Sequence, residues 1–308
     1  MMLVPIGHEN MAARRWPVVT LSLIAINTIV FLLTTFSMHD EAPQLGEVRS
    51  DILILAALHP ELKMHPEEQL LVDSFQKNHA DVWKQIQNPY RDVISPYDAK
   101  IKMMEDPERL QQEMDSLNDQ YLKLTASSVT GQYAFVPAHP TVLSYITANF
   151  LHGGWMHLIG NMLFLWIFGN NVEDYFGATK FSLFYILSWL AAIAMYSLFS
   201  LDSRVPLVGA SGAIAGVMGA YLVLHPRARI TCLIFFFIIT FVTLPAQVVL
   251  GIWFGIQLLM ALTGTSSGGG VAWLAHVGGF AFGWIVLKGL VKLRGGPDRG
   301  QQIYRIQW

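Results

Sequence analysis

The sequence has 308 residues, of which 53% are hydrophobic and only 14% are charged, and its formal net charge is −2. A soluble domain of this length rarely needs so much apolar surface, so the composition favours a membrane protein, and we expect no nucleic-acid partner. The single cysteine, Cys232, excludes an intrachain disulfide and a Cys-rich metal site.

The first predicted element is an amino-terminal membrane span over Pro17–Ser37. Its apolar run of about 20 residues can cross about 30 Å of hydrocarbon as a helix. No small-x-small cleavage site follows before Asp40, so we expect an uncleaved signal anchor and not a cleaved signal peptide. Arg14 and Arg15 precede the span and predict a cytoplasmic amino terminus.

A polar segment, residues 38–140, follows the first span. His39–Pro140 holds 17 of the 22 acidic residues and 9 of the 20 basic residues, so we expect it to lie in water. Apolar residues at three- and four-residue spacing in Pro66–Gln87 and Pro107–Leu124 predict short amphipathic helices. No nucleotide-binding loop, EF-hand or zinc signature occurs here. We predict an acidic, extracytoplasmic helical insert that serves in substrate docking or as a spacer.

Five more spans are predicted after the insert: Trp155–Asn170, Thr179–Phe199, Pro206–Leu224, Ala246–Leu262 and Val271–Leu290. Basic residues in the short loops and in the tail, residues 291–308, predict that both termini are cytoplasmic. The fold class is therefore an all-α, polytopic bundle of six membrane helices, with residues 1–37 as the first unit and 141–290 as the core. Residues 230–245 either lie at the cytoplasmic interface or re-enter the membrane, and we expect Pro245 to end that segment.

Few polar side chains interrupt the spans, and each is a functional candidate because polar groups are costly in lipid. They are His152, His157, Asn161, Ser211, Gln257 and His276. Ser211 and His276 each lie about five residues inside the outer end of a predicted span, which places both about 7 Å deep. His157 and Asn161 are four residues apart and share a helix face. We interpret Gln257 as an interhelical hydrogen-bonding residue.

Small residues surround the serine and the histidine. Gly209, Gly212, Gly216 and Gly219 accompany Ser211, and Ala275, Gly279 and Gly283 accompany His276. Glycine is unfavourable inside helices by up to about 1 kcal/mol, so its repetition indicates close backbone approach. Taken alone, such a serine is more often a packing residue, and the shared depth of Ser211 and His276 is what favours a site.

A metal site is the chemical alternative, since His152, His157 and His276 are all potential ligands. No HExxH motif is present, and no carboxylate in these spans completes a ligand set. We therefore expect neither a metal nor a cofactor.

Three motifs resemble the rhomboid family of intramembrane serine proteases. They are FLHGGWMHLIGNMLFLWIFGNNVEDYFG (Phe150–Gly177), GASGAIAG (Gly209–Gly216) and AHVGGFAFG (Ala275–Gly283), in this order. The resemblance implies that Ser211 is the nucleophile and His276 the general base. It further implies an oxyanion hole formed by the Ser211 N–H and the side chains of His157 and Asn161, supported by His152, Gly209, Gly212, Gly279 and Gly283. Without a carboxylate to orient the imidazole, we expect a dyad and not a triad.

The resemblance also implies cleavage of single-span membrane proteins near the outer membrane face, with the fifth span as the mobile helix at which substrate enters. The expected location is a bacterial plasma membrane. Many members of the family carry an aromatic residue where this chain has Ala215, so another group must hold His276 or its ring is looser. The Trp-Arg pair that usually precedes the second span is also missing.

Two other functions are weighed against the protease. A catalytically silent, client-binding rhomboid-like protein characteristically lacks the nucleophile or the base, and both are present here. A transporter or channel is expected to show repeats with broken helices or acidic relay residues, and the sequence has neither.

Overall fold

The computed structural model describes residues 2–8, 15–88, 90, 92–235, 239–263 and 272–293. Arg14 and most of the predicted basic tail, residues 294–308, lie outside these ranges. The chain forms two compact units, which are described separately. The core unit comprises Met1–Leu33 and Tyr133–Trp308, and the insert unit comprises Thr34–Gln132.

Helices dominate the core unit. They are the first part of α1 (Val18–Leu58), α7 (Ser144–Thr147), α8 (Trp155–Phe164), α9 (Asn170–Phe176), α10 (Ala178–Leu198), α11 (Ser211–Leu224), α12 (Ala246–Leu262) and α13 (Trp273–Leu293). The short helix α6 (Val129–Tyr133) belongs to the insert unit except for its last residue. A five-residue π-helical turn, Leu165–Gly169, joins α8 to α9 into one helical run. Gly177, with φ of 72°, ends that run and lets α10 begin in a new direction.

Among the residues that the structure describes, five of these helices are candidates for lying in a membrane. α1, α10 and α13 can each cross a bilayer by length and composition, whereas α11 and α12 are apolar but have only 14 and 17 residues. α11 begins only at Ser211, although the predicted span begins at Pro206. Hydropathy could not locate this start because the residues before Ser211 are as apolar as those after it.

A three-stranded antiparallel sheet accompanies the helices. Its strands are β1 (Met2–His8), β2 (Arg229–Phe235) and β3 (Ile239–Pro245), in the order β1-β2-β3. The sequence left the placement of residues 230–245 open, and the structure forms strands over 230–235 and 239–245. Pro245 then ends the sheet and precedes the first residue of α12, so the predicted break at Pro245 is confirmed.

The insert unit has its own hydrophobic core. Besides the later part of α1, it contains α2 (Pro66–Asn78), α3 (Ala80–Gln87), α4 (Pro96–Lys102) and α5 (Pro107–Ser127). The amphipathic helices predicted over 66–87 and 107–124 are confirmed. α1 continues beyond the predicted end of the first span at Ser37, because Asp40 and Glu41 end the apolar run without ending the helix. Ile52 and Leu55, farther along α1, are fully buried in the insert core.

Backbone contact between α11 and α13 organises the core unit. A Cβ atom on Gly279 would collide with the Gly212 carbonyl, and one on Gly283 would collide with the Gly216 carbonyl. On its other side α11 lies against α10, where a Cβ on Gly212 would come within 2.6 Å of the Ala192 Cβ. The close approach predicted from the small residues is confirmed, and it brings the first turns of α11 and α13 together.

A buried carboxylate holds the start of α1. Glu173 in α9 is only 3% exposed, and its two oxygens accept from the backbone N–H groups of Val19 and Thr20 at 2.8 Å each. The first N–H groups of a helix have no partner within the helix and carry partial positive charge. Glu173 therefore caps α1 from another helix and ties α1 to α9.

Candidate active site

Ser211 is the first residue of α11 and follows an extended segment. Leu207 exchanges two backbone hydrogen bonds with Phe135, and the Gly209 N–H donates to the Ala148 carbonyl at 2.8 Å. Gly209 has φ of 109°, a conformation that side-chain-bearing residues rarely adopt. Irregular backbone at membrane depth is tolerated where it is buried in protein or lines a cavity, and this segment does both. Ala210 offers no side-chain cap, so the first N–H groups of α11 face the site without one.

The Ser211 hydroxyl is hydrogen-bonded to His276. The distance from Ser211 Oγ to His276 Nε2 is 2.8 Å, although 65 positions separate the residues. His276 lies in the first turn of α13, so both residues come from helix starts that the glycine contacts hold together. An imidazole nitrogen at this distance can take the hydroxyl proton as the oxygen attacks a carbonyl.

The other nitrogen of the same ring contacts Gln257 of α12. The distance from His276 Nδ1 to Gln257 Oε1 is 2.7 Å, and the glutamine is only 6% exposed. Trp253, one turn earlier in α12, lies with its ring centroid 5.8 Å from that of His276. Ala215 occupies the place of the expected aromatic residue and is fully buried. Although α11 has no aromatic residue at this position, α12 supplies two contacts to His276.

His157 and Asn161 lie on α8 and face the segment before Ser211. A Cβ atom on Gly209 would come within 2.7 Å of His157 Nε2 and 3.5 Å of Asn161 Nδ2, so this glycine lets both side chains approach. The Gly153 N–H donates to His157 Nδ1 at 3.4 Å, which leaves Nε2 as the protonated nitrogen of the neutral ring. Asn161 Nδ2 is buried and has no hydrogen-bond partner among the described residues. Both groups are therefore donors available to a ligand.

His152 lies directly behind His157. It is fully buried, its Nδ1 lies 3.3 Å from the Phe150 carbonyl, and its ring meets the His157 ring edge-on at a centroid distance of 5.1 Å. It contacts neither Ser211 nor His276 by any hydrogen bond within the described residues. Its position supports His157 and does not reach the hydroxyl.

One cavity joins these groups. It has a volume of about 460 Å³, and its wall includes Ser211, His276, His157 and Asn161, with apolar side chains making up most of the remainder. The arrangement therefore combines a nucleophile, a base and two side-chain donors in a largely apolar space. Within the described residues no three His, Cys, Asp or Glu side chains are placed to hold a metal ion.

The motifs and this geometry agree with a comparison against known proteins. The model of the Rhomboid domain matches residues 139–293, about half of the chain. The chain belongs to the rhomboid family. It is an integral membrane protein, and members of this family are generally intramembrane serine proteases.

Relatives of this rhomboid are found in yeast and plants. It is 32% identical over 169 residues to "Rhomboid protein 1, mitochondrial" of Saccharomyces cerevisiae, an alignment that covers 49% of this chain and 44% of the yeast protein. It is 34% identical over 170 residues to "RHOMBOID-like protein 4" of Arabidopsis thaliana, covering 52% of this chain and 39% of that protein. The chain thus spans less than half the length of these relatives.

One contact of this site, between Gln257 and His276, could not be predicted from the sequence. Of the residues proposed from the motifs, Ser211, His276, His157 and Asn161 line one cavity. His152 lies against His157, and Gly209, Gly212, Gly279 and Gly283 permit close approach of neighbouring groups without lining the cavity. The expected interhelical hydrogen bond of Gln257 is confirmed, with His276 as a partner that the sequence does not identify. Its polar side chain in an apolar helix was the available signal, but its partner depends on how α12 is rotated, which hydropathy does not specify.

Proposed function

We propose that this rhomboid is an intramembrane serine endopeptidase. The observation that carries the proposal is the 2.8 Å contact of Ser211 Oγ with His276 Nε2 in a cavity that also presents two unused donors. An alcohol is a weak nucleophile at neutral pH unless a neighbouring base takes its proton. The paired hydroxyl and imidazole supply that activation.

The reaction proceeds in two steps. Ser211 Oγ attacks the carbonyl carbon of the scissile peptide bond while His276 Nε2 takes the hydroxyl proton. The oxyanion of the tetrahedral intermediate accepts from the Ser211 N–H, the His157 Nε2–H and the Asn161 Nδ2–H, and it also benefits from the positive end of α11. The C–N bond then breaks as His276 gives its proton to the leaving amine, and a water molecule hydrolyses the acyl-enzyme by the same route.

The proposed substrates are single-span membrane proteins cut near the outer membrane face. A peptide bond within a helix is shielded by its own hydrogen bonds, so the substrate must unwind locally before Ser211 can reach a carbonyl. The apolar wall of the cavity supports a lipid-embedded substrate, and its polar groups can satisfy the backbone groups that unwinding exposes.

Labelling with a fluorophosphonate probe tests the nucleophile without knowledge of the substrate. Wild type in detergent is expected to be labelled, and Ser211→Ala and His276→Ala are expected to lose labelling. Ser182→Ala removes a hydroxyl that donates to the Ala178 carbonyl of its own helix, so it is the matched control and should label normally. Absence of labelling in wild type whose thermal melt shows that it is folded would contradict the proposal and favour the client-binding alternative.

The proposed location is a bacterial-type plasma membrane with both termini in the cytoplasm. Cys232 is fully buried, so cysteines introduced after Cys232→Ser give a clean readout. Asp202→Cys, before α11, is expected to react with an impermeant maleimide added to intact cells, and Arg227→Cys, after α11, is expected to react only after lysis. The reverse pattern would invert the topology.

A further inference from the structure

The most informative unassigned contact in the core unit is the hydrogen bond between α12 and the candidate base. Gln257 Oε1 lies 2.7 Å from His276 Nδ1, and His276 Nε2 lies 2.8 Å from Ser211 Oγ. The three side chains thus form a continuous chain from α12 through α13 to α11. No carboxylate hydrogen-bonds to this ring among the residues that the structure describes.

The amide oxygen determines which ring nitrogen holds the proton. A carbonyl oxygen can only accept, so the bond requires that Nδ1 carries hydrogen. In a neutral imidazole the other nitrogen, Nε2, then has a free lone pair, and that lone pair faces the Ser211 hydroxyl. This is the tautomer that a general base needs. With the opposite tautomer, Nε2–H would point at Ser211 Oγ and could not take its proton.

The same bond limits rotation of the ring. Ala215 leaves no aromatic side chain against His276 from α11, and Trp253 lies 5.8 Å away at an angle of 36°, a looser contact than a stacked pair. Trp273 is farther still, at 6.3 Å and edge-on. Hydrogen bonds at both nitrogens therefore fix the imidazole plane, and removal of Gln257 would leave it anchored at one end only.

We infer that Gln257 is a positioning residue that fixes the tautomer and the orientation of His276. The inference rests on the proposed roles of Ser211 and His276 as nucleophile and base. It assigns the third position, which an aspartate holds in a Ser-His-Asp triad, to a neutral amide. A neutral acceptor suits this place because an ionised carboxylate is costly in a lipid-embedded site.

A spectroscopic test reads the tautomer directly. Protein labelled with ¹⁵N-histidine is compared as wild type, Gln257→Leu and Gln257→Glu, with the His276 signals identified by their loss in His276→Gln. Wild type and Gln257→Glu are expected to carry the proton on Nδ1, because glutamate in either protonation state still offers an accepting oxygen. Gln257→Leu is expected to shift the proton toward Nε2. A wild-type ring protonated on Nε2 would overturn the inference.

Kinetics then measure the consequence for cleavage of a membrane-embedded peptide. Gln257→Leu is expected to lower kcat by about 10- to 100-fold and to change KM by less than about threefold, because the lost interaction matters only when the base acts. Gln257→Glu is expected to recover most of this rate. Gln247→Leu, an exposed glutamine at the start of the same helix, is the matched control and should retain wild-type kcat.

The outcomes separate this inference from the proposed function. If kcat of Gln257→Leu equals that of wild type, or if the glutamate variant loses as much rate as the leucine variant with the Nδ1 proton retained, Gln257 serves packing alone. If folded wild type neither labels nor cleaves, the protease proposal fails. The tautomer shift in Gln257→Leu still decides whether Gln257 orients the ring.

Discussion

In the proposed mechanism, the negative charge that develops during peptide cleavage lies next to three donors of this site. The Ser211 N–H comes from an uncapped helix start, and His157 Nε2 is the protonated nitrogen of its ring. Asn161 Nδ2 is buried and has no hydrogen-bond partner in the part of the chain that the structure describes. Leaving a buried donor unsatisfied costs about 1–3 kcal/mol in the resting protein. In the proposed reaction that cost is recovered when the oxyanion forms, so the unsatisfied donor favours the transition state.

Loss of the Asn161 amide is therefore expected to slow catalysis without weakening substrate binding. Asn161→Ala should lower kcat by about 100- to 1,000-fold, the usual effect of removing one oxyanion donor, and leave KM nearly unchanged. Asn161→Asp has the same shape but lacks the amide donor, and it should fall to a similar rate. Steady-state cleavage beside a thermal melt measures both, and full activity in the aspartate variant would refute the donor role.

At the scale of elements, the contact of α11 with α13 sets the distance between Ser211 and His276. Gly283→Ala would drive a methyl group into the Gly216 carbonyl. Overpacking of this kind costs typically about 1–3 kcal/mol, and backbone can relieve it only by moving one helix. We expect a lower melting temperature and a large loss of cleavage.

Gly289 provides the control for that experiment. It lies on the same helix, and a Cβ atom there would meet nothing within 4 Å. Gly289→Ala should retain activity and should stabilise α13 by up to about 1 kcal/mol through helix propensity. Equal losses in both variants would show that α13 tolerates no alanine anywhere and would remove the close contact as the cause.

The cap on α1 gives a second prediction about elements. Glu173→Ala removes both acceptors from the Val19 and Thr20 N–H groups and is expected to lower stability by about 1–3 kcal/mol. Glu173→Gln keeps one accepting oxygen and should fall between alanine and wild type in a thermal melt. An alanine variant as stable as wild type would mean that other groups satisfy the start of α1.

At the scale of the whole molecule, the insert unit has a core of its own and a buried acid within it. Glu68 in α2 is fully buried, and burial raises its pKa above the ordinary glutamate value. The folded insert thus holds this proton more tightly than the unfolded insert does. Stability should be highest below the ordinary glutamate pKa and should fall as pH rises through the raised value.

Hydrogen exchange of insert amides, corrected for the intrinsic pH dependence, measures this effect. Protection in the insert is expected to decrease as the pH is raised from acidic conditions toward neutrality. Glu68→Gln, which keeps an oxygen to accept from the His65 N–H, should flatten the dependence. An unchanged pH profile in that variant would assign the effect to another acid.

Some features of this chain could be predicted from its sequence, and others could not. Ser211 and His276 could be paired because their distances from the outer ends of two predicted spans were similar. The repeated glycines indicated that the helices approach each other closely. Hydropathy could not locate the start of α11, although Gly209 indicated a turn before it. The strands over 229–235 and 239–245 could not be predicted, because β-branched apolar residues suit a sheet, an interface and a re-entrant segment alike. The contact of Gln257 with His276 could not be predicted, because it depends on how α12 is rotated about its axis.

The glycine contact between α11 and α13 also determines which substitutions are expected to inactivate this protein. The spacing of Ser211 and His276 is set by two backbones in direct contact, with no side chain between them that could shrink or repack to absorb an error. A single added methyl group at Gly219, Gly279 or Gly283 is therefore expected to change the spacing of Ser211 and His276 directly. A random screen for inactive variants should return these remote positions as often as the nucleophile, and second-site suppressors should be rare.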